Sequence, residues 1–476
     1  MTDVYTSPLV ERFATREMAE IWSAQKKFST WRRCWLALAQ AEQELGLDIT
    51  DEQIAELQDH LDDIDFEKAK AYERETRHDV MAHIHALGEI APKAKPIIHL
   101  GATSCFVGDN TDLIQIRESL EILLTKAVAV LARLKDFALK WKDLPTLGFT
   151  HYQPAQVVTV GKRACLWTQD LAMDVEDLED ILARLRCRGV KGTTGTQASF
   201  MALFDGDSDK VRQLDQRVAE LLGFKSSYGV TGQTYPRKVD TLVLRVLAGI
   251  GESVHKFATD MRLLQNLKEV EEPFESTQVG SSAMAYKRNP MRCERACALS
   301  RFLIVQPLHS QFTTATQWFE RTLDDSAIRR LSLPEAFLAA DGVLNLYLNV
   351  MENPAVYPKV IEKHLWEELP FMATENIIMA GVKKGGDRQE LHEVIRTHSH
   401  AAGAVVKQEG KSNDLLERLA KDPAIDMTME EIQASLNLVE FVGRAPMQVV
   451  EFIESEIDPI LSRNQGRTQI TSDVRV

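Results

Sequence analysis

The chain has 476 residues, with 56 lysines and arginines against 70 aspartates and glutamates, a formal charge of −14. That acidity excludes a protein that coats nucleic acid, and a composition 44% hydrophobic and 26% charged excludes wholesale disorder and calls for large buried cores or several domains. No run approaches the roughly 18 apolar residues of a membrane span, the start has no apolar signal core, and six cysteines without CxxC spacing suit reduced thiols, so the expectation is an unexported, cytoplasmic chain that engages no membrane.

In chain order, the first hundred residues read as short helices, with Thr50-Asp-Glu-Gln53 in the form of a capping box. Gly, Thr, Ser and Asn crowd residues 98–112, which predicts a break. From Asp112 to Leu144 there is neither proline nor glycine, and Leu113, Ile116, Leu120, Leu123, Ala127, Val130, Leu134, Phe137 and Trp141 alternate steps of three and four. That spacing predicts one long helix with a continuous apolar seam. A less regular helix is expected over about Ala155–Arg188. A second seamed helix is expected over about Val239–Val270, through Val243, Leu247, Ile250, Val254, Phe257, Met261 and Leu264. Further helices are expected within 291–320 and over 334–352, the latter opened by Ser332-Leu-Pro-Glu335. Two prolines within 353–359 mark another break, and Thr428-Met-Glu-Glu431 opens a C-terminal helix. No alternating strand pattern persists. The expected fold class is therefore all-α: an N-terminal helical domain over 1–105, a central long-helix bundle over 106–355 and a C-terminal helical domain over 356–476. Seams this long outrun one small domain, which predicts side-by-side packing and self-association.

Four polar, glycine-containing segments interrupt the helices, at 99–112, 146–156, 188–200 and 279–296. The last contains Gly280-Ser-Ser-Ala-Met-Ala-Tyr-Lys-Arg-Asn-Pro290, where hydroxyls, cations and an amide lie close enough in sequence to hold a dianionic acid. Its order resembles the fumarase/aspartase superfamily signature G-S-S-x-M-P-x-K-x-N-P, with Ala285 where the pattern has proline. Within that superfamily the chain is similar to the adenylosuccinate lyases, and more to their animal-type branch than to the shorter bacterial one. The segments that carry this are Arg77-His-Asp-Val-Met-Ala-His83, HLGATS at 99–104, Thr150-His-Tyr-Gln-Pro-Ala-Gln156, KGTTGTQASF at 191–200, TGQTY at 231–235, Trp318-Phe-Glu-Arg-Thr-Leu-Asp-Asp-Ser326 and ELPFMATENIIM at 368–379. The resemblance spans nearly the whole chain and is weakest after about residue 410. It implies three all-α domains, a homotetramer whose central domains share one bundle, and active sites each built from three subunits. It also implies a carbon–nitrogen lyase of purine biosynthesis, releasing fumarate from adenylosuccinate to leave AMP and from the succinyl-aminoimidazole carboxamide ribotide.

Such a β-elimination removes a weakly acidic proton beside a carboxylate, so it demands a base, a place for the developing charge and an acid for the departing nitrogen. It requires no cofactor and no metal. By the resemblance, Ser281 is the base, with Ser282 the alternative, and Lys287 and Asn289 pair with the substrate carboxylate. His151 is the candidate acid, because imidazole can protonate a leaving nitrogen near neutral pH. His78 binds, orients or shares the acid role, and Arg77 and Asp79 lie beside it near the phosphate. Thr103 and Ser104 suit a carboxylate at a helix entrance, and Gln233 a succinyl group. Arg12, Arg295, Arg321, Ser326 and Arg330 match positions that hold the nucleotide. The run Gly189–Gly195 lacks a GK[ST] ending and reads as a packing turn lining the site. A metal held by His78, His83 and His85 is disfavoured, since no carboxylate completes the set. Two rival readings are another fumarate-releasing lyase (argininosuccinate lyase-, fumarase- or aspartase-like) and a non-catalytic helical scaffold, which leaves Ser281, Lys287 and His151 unexplained.

Overall fold

The computed structural model describes residues 3–275, 278 and 282–472 of the chain. Five long helices form the central bundle: Ser104–Lys140, Val160–Arg184, Lys238–Asn266, Met291–Ile304 and Asp325–Glu352. The step-three, step-four seam from Leu113 through Leu134 is buried along its length, as are Val243 to Leu264 on the third bundle helix. Each such Val, Leu, Ile, Phe or Met side chain contributes roughly 1.5–3 kcal/mol on burial. Both seams are thus covered inside one chain, which corrects the expectation that they are left over for partners. The large apolar side chains that stay exposed lie elsewhere, among them Leu166, Met173, Val305, Leu308, Phe312, Trp318 and Phe319.

Thr50 and Thr428 make the reciprocal capping boxes their sequences announce. Three other readings are corrected. The first bundle helix begins at Ser104 rather than Asp112, because polar residues of its opening turns find distant partners: Asn110 accepts from Gly189 N–H at 3.1 Å and Tyr235 N–H donates to Asp109 at 2.8 Å. Ser332-Leu-Pro-Glu335 opens nothing, since it lies inside the Asp325–Glu352 helix. Pro334 there simply withholds a hydrogen bond from the Arg330 carbonyl four residues back.

The third correction is an antiparallel hairpin, Pro145–Thr150 with Gln153–Thr159, where helix was expected from Ala155. An irregularity between Leu147 and Phe149 and the pairing of Phe149 with Pro154 erase the alternation that would have announced it. Leu147 and Val157 pack into a second core with Leu365, Leu369, Ile377, Leu391 and Leu415 from the C-terminal helices. Val449, Ile453, Ile457 and Ile460 return to the bundle core. A short strand pair, Val270–Glu271 with Ala355–Val356, ties the bundle to the helices that follow.

Candidate active site

A cavity of about 560 Å³ opens where five stretches of chain meet. The Ala24–Glu44 helix brings Lys27 and Trp31, and the entrance of Asp79–Ile90 brings His78 and Asp79. The entrance of Ser104–Lys140 brings Ser104, Cys105, Asp109 and Asp112. Residues 233–237 add Gln233 and Arg237, and residues 321–334 add Arg321, Ser326, Arg329 and Arg330. Two helix N-termini therefore converge on one cavity, and their partial positive ends favour an anionic ligand.

His78 is the N-cap of its helix, and its Nδ1 accepts from Met81 N–H at 3.2 Å. A neutral ring so placed carries its proton on Nε2, which faces Ser104 Oγ at 3.2 Å. Thr103, the N-cap of the first bundle helix, makes no capping hydrogen bond with its side chain. Gln233 is held through its backbone: its N–H donates to Glu320 O at 3.0 Å, and its carbonyl accepts from Arg188 Nε at 3.0 Å and a terminal guanidinium nitrogen at 2.7 Å. The thiol of Cys105 donates to Gln233 Oε1 across 3.6 Å, which leaves the amide NH2 as the donor end. Burial pushes that thiol up to about 11, with Asp109 adding to the effect, so it stays protonated near neutrality.

The wall of the cavity is built on a mostly buried charge network that the sequence did not reveal. Arg237 meets Asp325 at 2.6 Å and Asp109 at 3.3 Å, and Arg321 reaches the same Asp325 at 3.1 Å. Arg329 pairs with Asp240 at 2.7 Å and Asp112 at 2.9 Å, and also donates to the Tyr235 hydroxyl. Burial drives the Asp112 carboxyl upward against the pull of Arg329. Closer to solvent, Arg330 lies 3.7 Å from Asp79. Asp109, Asp112, Arg237 and Arg329 escaped sequence reading because their partners are far away in the chain, and Lys27 because nothing local marks which lysine lines a cavity. The one local signal was polar residues recurring at helical spacing in Gly108-Asp-Asn-Thr-Asp112.

Of the residues singled out in the sequence, His78, Asp79, Ser104, Gln233, Arg321, Ser326 and Arg330 line this cavity, whereas Arg12, Arg77, Thr103, His151, Lys287, Asn289 and Arg295 do not. Arg77 adopts a left-handed conformation at the end of the Phe66–Thr76 helix and faces a separate cationic groove with Lys70 and Arg74. Arg12 is exposed, and Arg295 lies 5.6 Å over the Phe13 ring. Ser281 lies outside the described residues. Downstream of it, Ser282 and Lys287 are exposed and Asn289 half-buried. Glu272 receives the Arg292 and Cys293 N–H groups at 3.1 and 3.0 Å, anchoring the helix that this loop enters.

His151 sits at the exposed tip of the hairpin, and both His151 and Tyr152 have positive φ, 54° and 58°. Positive φ at both central residues is what a primed hairpin turn requires, and without glycine at either position it is held at a cost of order 1–3 kcal/mol each. Gly189, Gly192 and Gly195 also have positive φ. Their turn packs behind Gln233 instead of lining this cavity, since a Cβ at Gly195 would lie 1.9 Å from Thr231 O. His83 stacks on Phe28 at 3.8 Å, and burial with the nearby Arg32 pushes its imidazole down to about 4.

Among the described residues, no helix is long and apolar enough to cross a membrane. The six cysteines are free.

Residues 2–301 match a family described as "Lyase", and residues 370–452 match one described as "Adenylosuccinate lyase C-terminus". The adenylosuccinate lyase of Saccharomyces cerevisiae is 56% identical over 462 residues, 96% of each chain. That of Schistosoma mansoni is 48% identical over 474 residues, 99% of each chain. The 3-carboxy-cis,cis-muconate lactonizing enzyme from Pseudomonas putida superposes with a TM-score of 0.82 over 97% of this chain and 100% of its own, at 22% identity, a likeness of fold.

Proposed function

This chain belongs to the adenylosuccinate lyase family of carbon–nitrogen lyases, and on that premise we propose that it cleaves both adenylosuccinate and the succinyl-aminoimidazole carboxamide ribotide, through sites assembled from several subunits of a cytoplasmic homotetramer. The observation that carries the shared site is spatial. The binding candidates His78, Ser104, Gln233, Arg321 and Arg330 share one cavity, while His151 stands apart at a strained, exposed hairpin tip. Exposed Leu166, Met173, Leu308 and Phe312 supply apolar surface for association. The six free thiols suit a reducing compartment. Three helical units, with boundaries near residues 105 and 355, are part of the same proposal.

In this reading Ser281 takes the proton beside the carboxylate, and Lys287 and Asn289 stabilise the charge that builds there. His151 from another subunit protonates the departing nitrogen. Thr103, Ser104 and Gln233 hold the succinyl end, His78 binds and orients near the phosphate or shares the acid role, and Arg12, Arg77, Asp79, Arg295, Arg321, Ser326 and Arg330 hold the nucleotide.

The test is direct: purified protein given adenylosuccinate releases fumarate and AMP in equal amounts, and given argininosuccinate, malate or aspartate releases no fumarate. Fumarate from argininosuccinate but not from adenylosuccinate overturns the assignment.

A further inference from the structure

Five cations line the cavity: Lys27, Arg237, Arg321, Arg329 and Arg330. Four of them have carboxylate partners. Arg237 and Arg321 share Asp325, Arg329 has Asp112 and Asp240, and Arg330 has Asp79. Among the described residues Lys27 makes no ion pair. Its ammonium lies over two rings instead, 5.4 Å from the Phe28 centroid and 5.3 Å from that of Trp31.

The carboxylates whose fields reach Lys27 most strongly are Asp112 and Asp79, each already engaged by an arginine, and Arg330 opposes them as a like charge. Burial is the largest influence on this ammonium and lowers its pKa. A half-buried cation that lies over two aromatic rings and lines the same cavity as Arg330 is what an anion between the two would stabilise.

We propose that Lys27 binds the phosphate dianion of the nucleotide jointly with Arg330, clamping it between the Ala24–Glu44 and Asp325–Glu352 helices. This rests on the reading of the substrate as a nucleotide. Lys27 supplies a point charge from one wall and Arg330 a forked donor from the other, so the phosphate spans the bundle and the N-terminal helices.

The test compares wild type with Lys27→Met, which keeps the stem over Phe28 and Trp31 and removes the charge. AMP, adenosine and fumarate serve as inhibitors. Loss of a charge-assisted hydrogen bond raises the AMP inhibition constant at least roughly 10-fold, while inhibition by adenosine, which lacks the phosphate, and by fumarate stays unchanged. Lys27→Arg restores most of the AMP affinity. Where Lys27→Met fails to fold, Lys27→Gln carries the same comparison. Unchanged AMP inhibition in the charge-removing variant, or equal weakening for AMP and adenosine, overturns the proposal. Wild type that releases no fumarate from adenylosuccinate overturns instead the functional reading on which it rests.

Discussion

Replacing Gly232 by alanine tests whether the backbone around Gln233 sets the geometry of the cavity. A Cβ at Gly232 would lie 2.5 Å from Glu320 O and 3.0 Å from Glu320 Cα, where ordinary van der Waals packing begins near 3.4 Å. Both neighbours are backbone, so no side chain can swing aside, and the 231–235 segment must part from residue 320 by just under ~1 Å. The Gln233 N–H bond to Glu320 O, 3.0 Å long, is the first to break, and the Arg188 bonds to the Gln233 carbonyl are strained with it. A displacement of about 1 Å at a positioning group costs on the order of 10²-fold in rate, about 2.7 kcal/mol of transition-state stabilisation. The assay is steady-state fumarate release by Gly232→Ala, Gln233→Ala and the double variant, with circular dichroism and sedimentation confirming folded, assembled protein. Because both changes act through the same amide, the double variant should be no worse than Gln233→Ala by more than about twofold. Wild-type kcat/KM in Gly232→Ala, or losses that simply multiply, would refute the reasoning.

Glu42 is buried, with neither carboxylate oxygen partnered among the described residues, and burial pushes its carboxyl up to about 9. A folded-state value raised above the unfolded one near 4.5 means that stability is lost as pH rises between the two; wild type should therefore lose Tm relative to Glu42→Gln from pH 5 to pH 9.5, and a constant difference would contradict it. His78→Ala removes both the cap on Met81 N–H and the hydrogen bond with Ser104, so it should cost about 1 kcal/mol of stability as well as activity. His78→Asn should keep the cap and lose activity alone, which thermal melts and kcat/KM separate. If sites are shared between subunits, mixing inactive His151→Ala with inactive Ser281→Ala should restore partial fumarate release after subunit exchange, and no recovery with exchange confirmed by mass spectrometry would count against shared sites.

Sequence alone determined the helical class, because a step of three and four along Leu113 to Leu134 is a local property that any packing of the chain must bury on one face. It also determined the capping boxes at Thr50 and Thr428, which need only residues three apart, and the motif residues His78, Ser104, Gln233, Arg321, Ser326 and Arg330 that line the cavity. What only tertiary structure decided depended on partners far along the chain. The hairpin at 145–159 is stabilised by Leu365 and Leu369, more than 200 residues downstream, so its irregular alternation carried no readable signal. The helix starting at Ser104 keeps polar opening turns because Gly189 and Tyr235 satisfy them. Asp109, Arg237 and Asp325 form one network across separations of 128 and 88 residues. Charges pair by distance in space, and no local pattern records which buried cation meets which carboxylate.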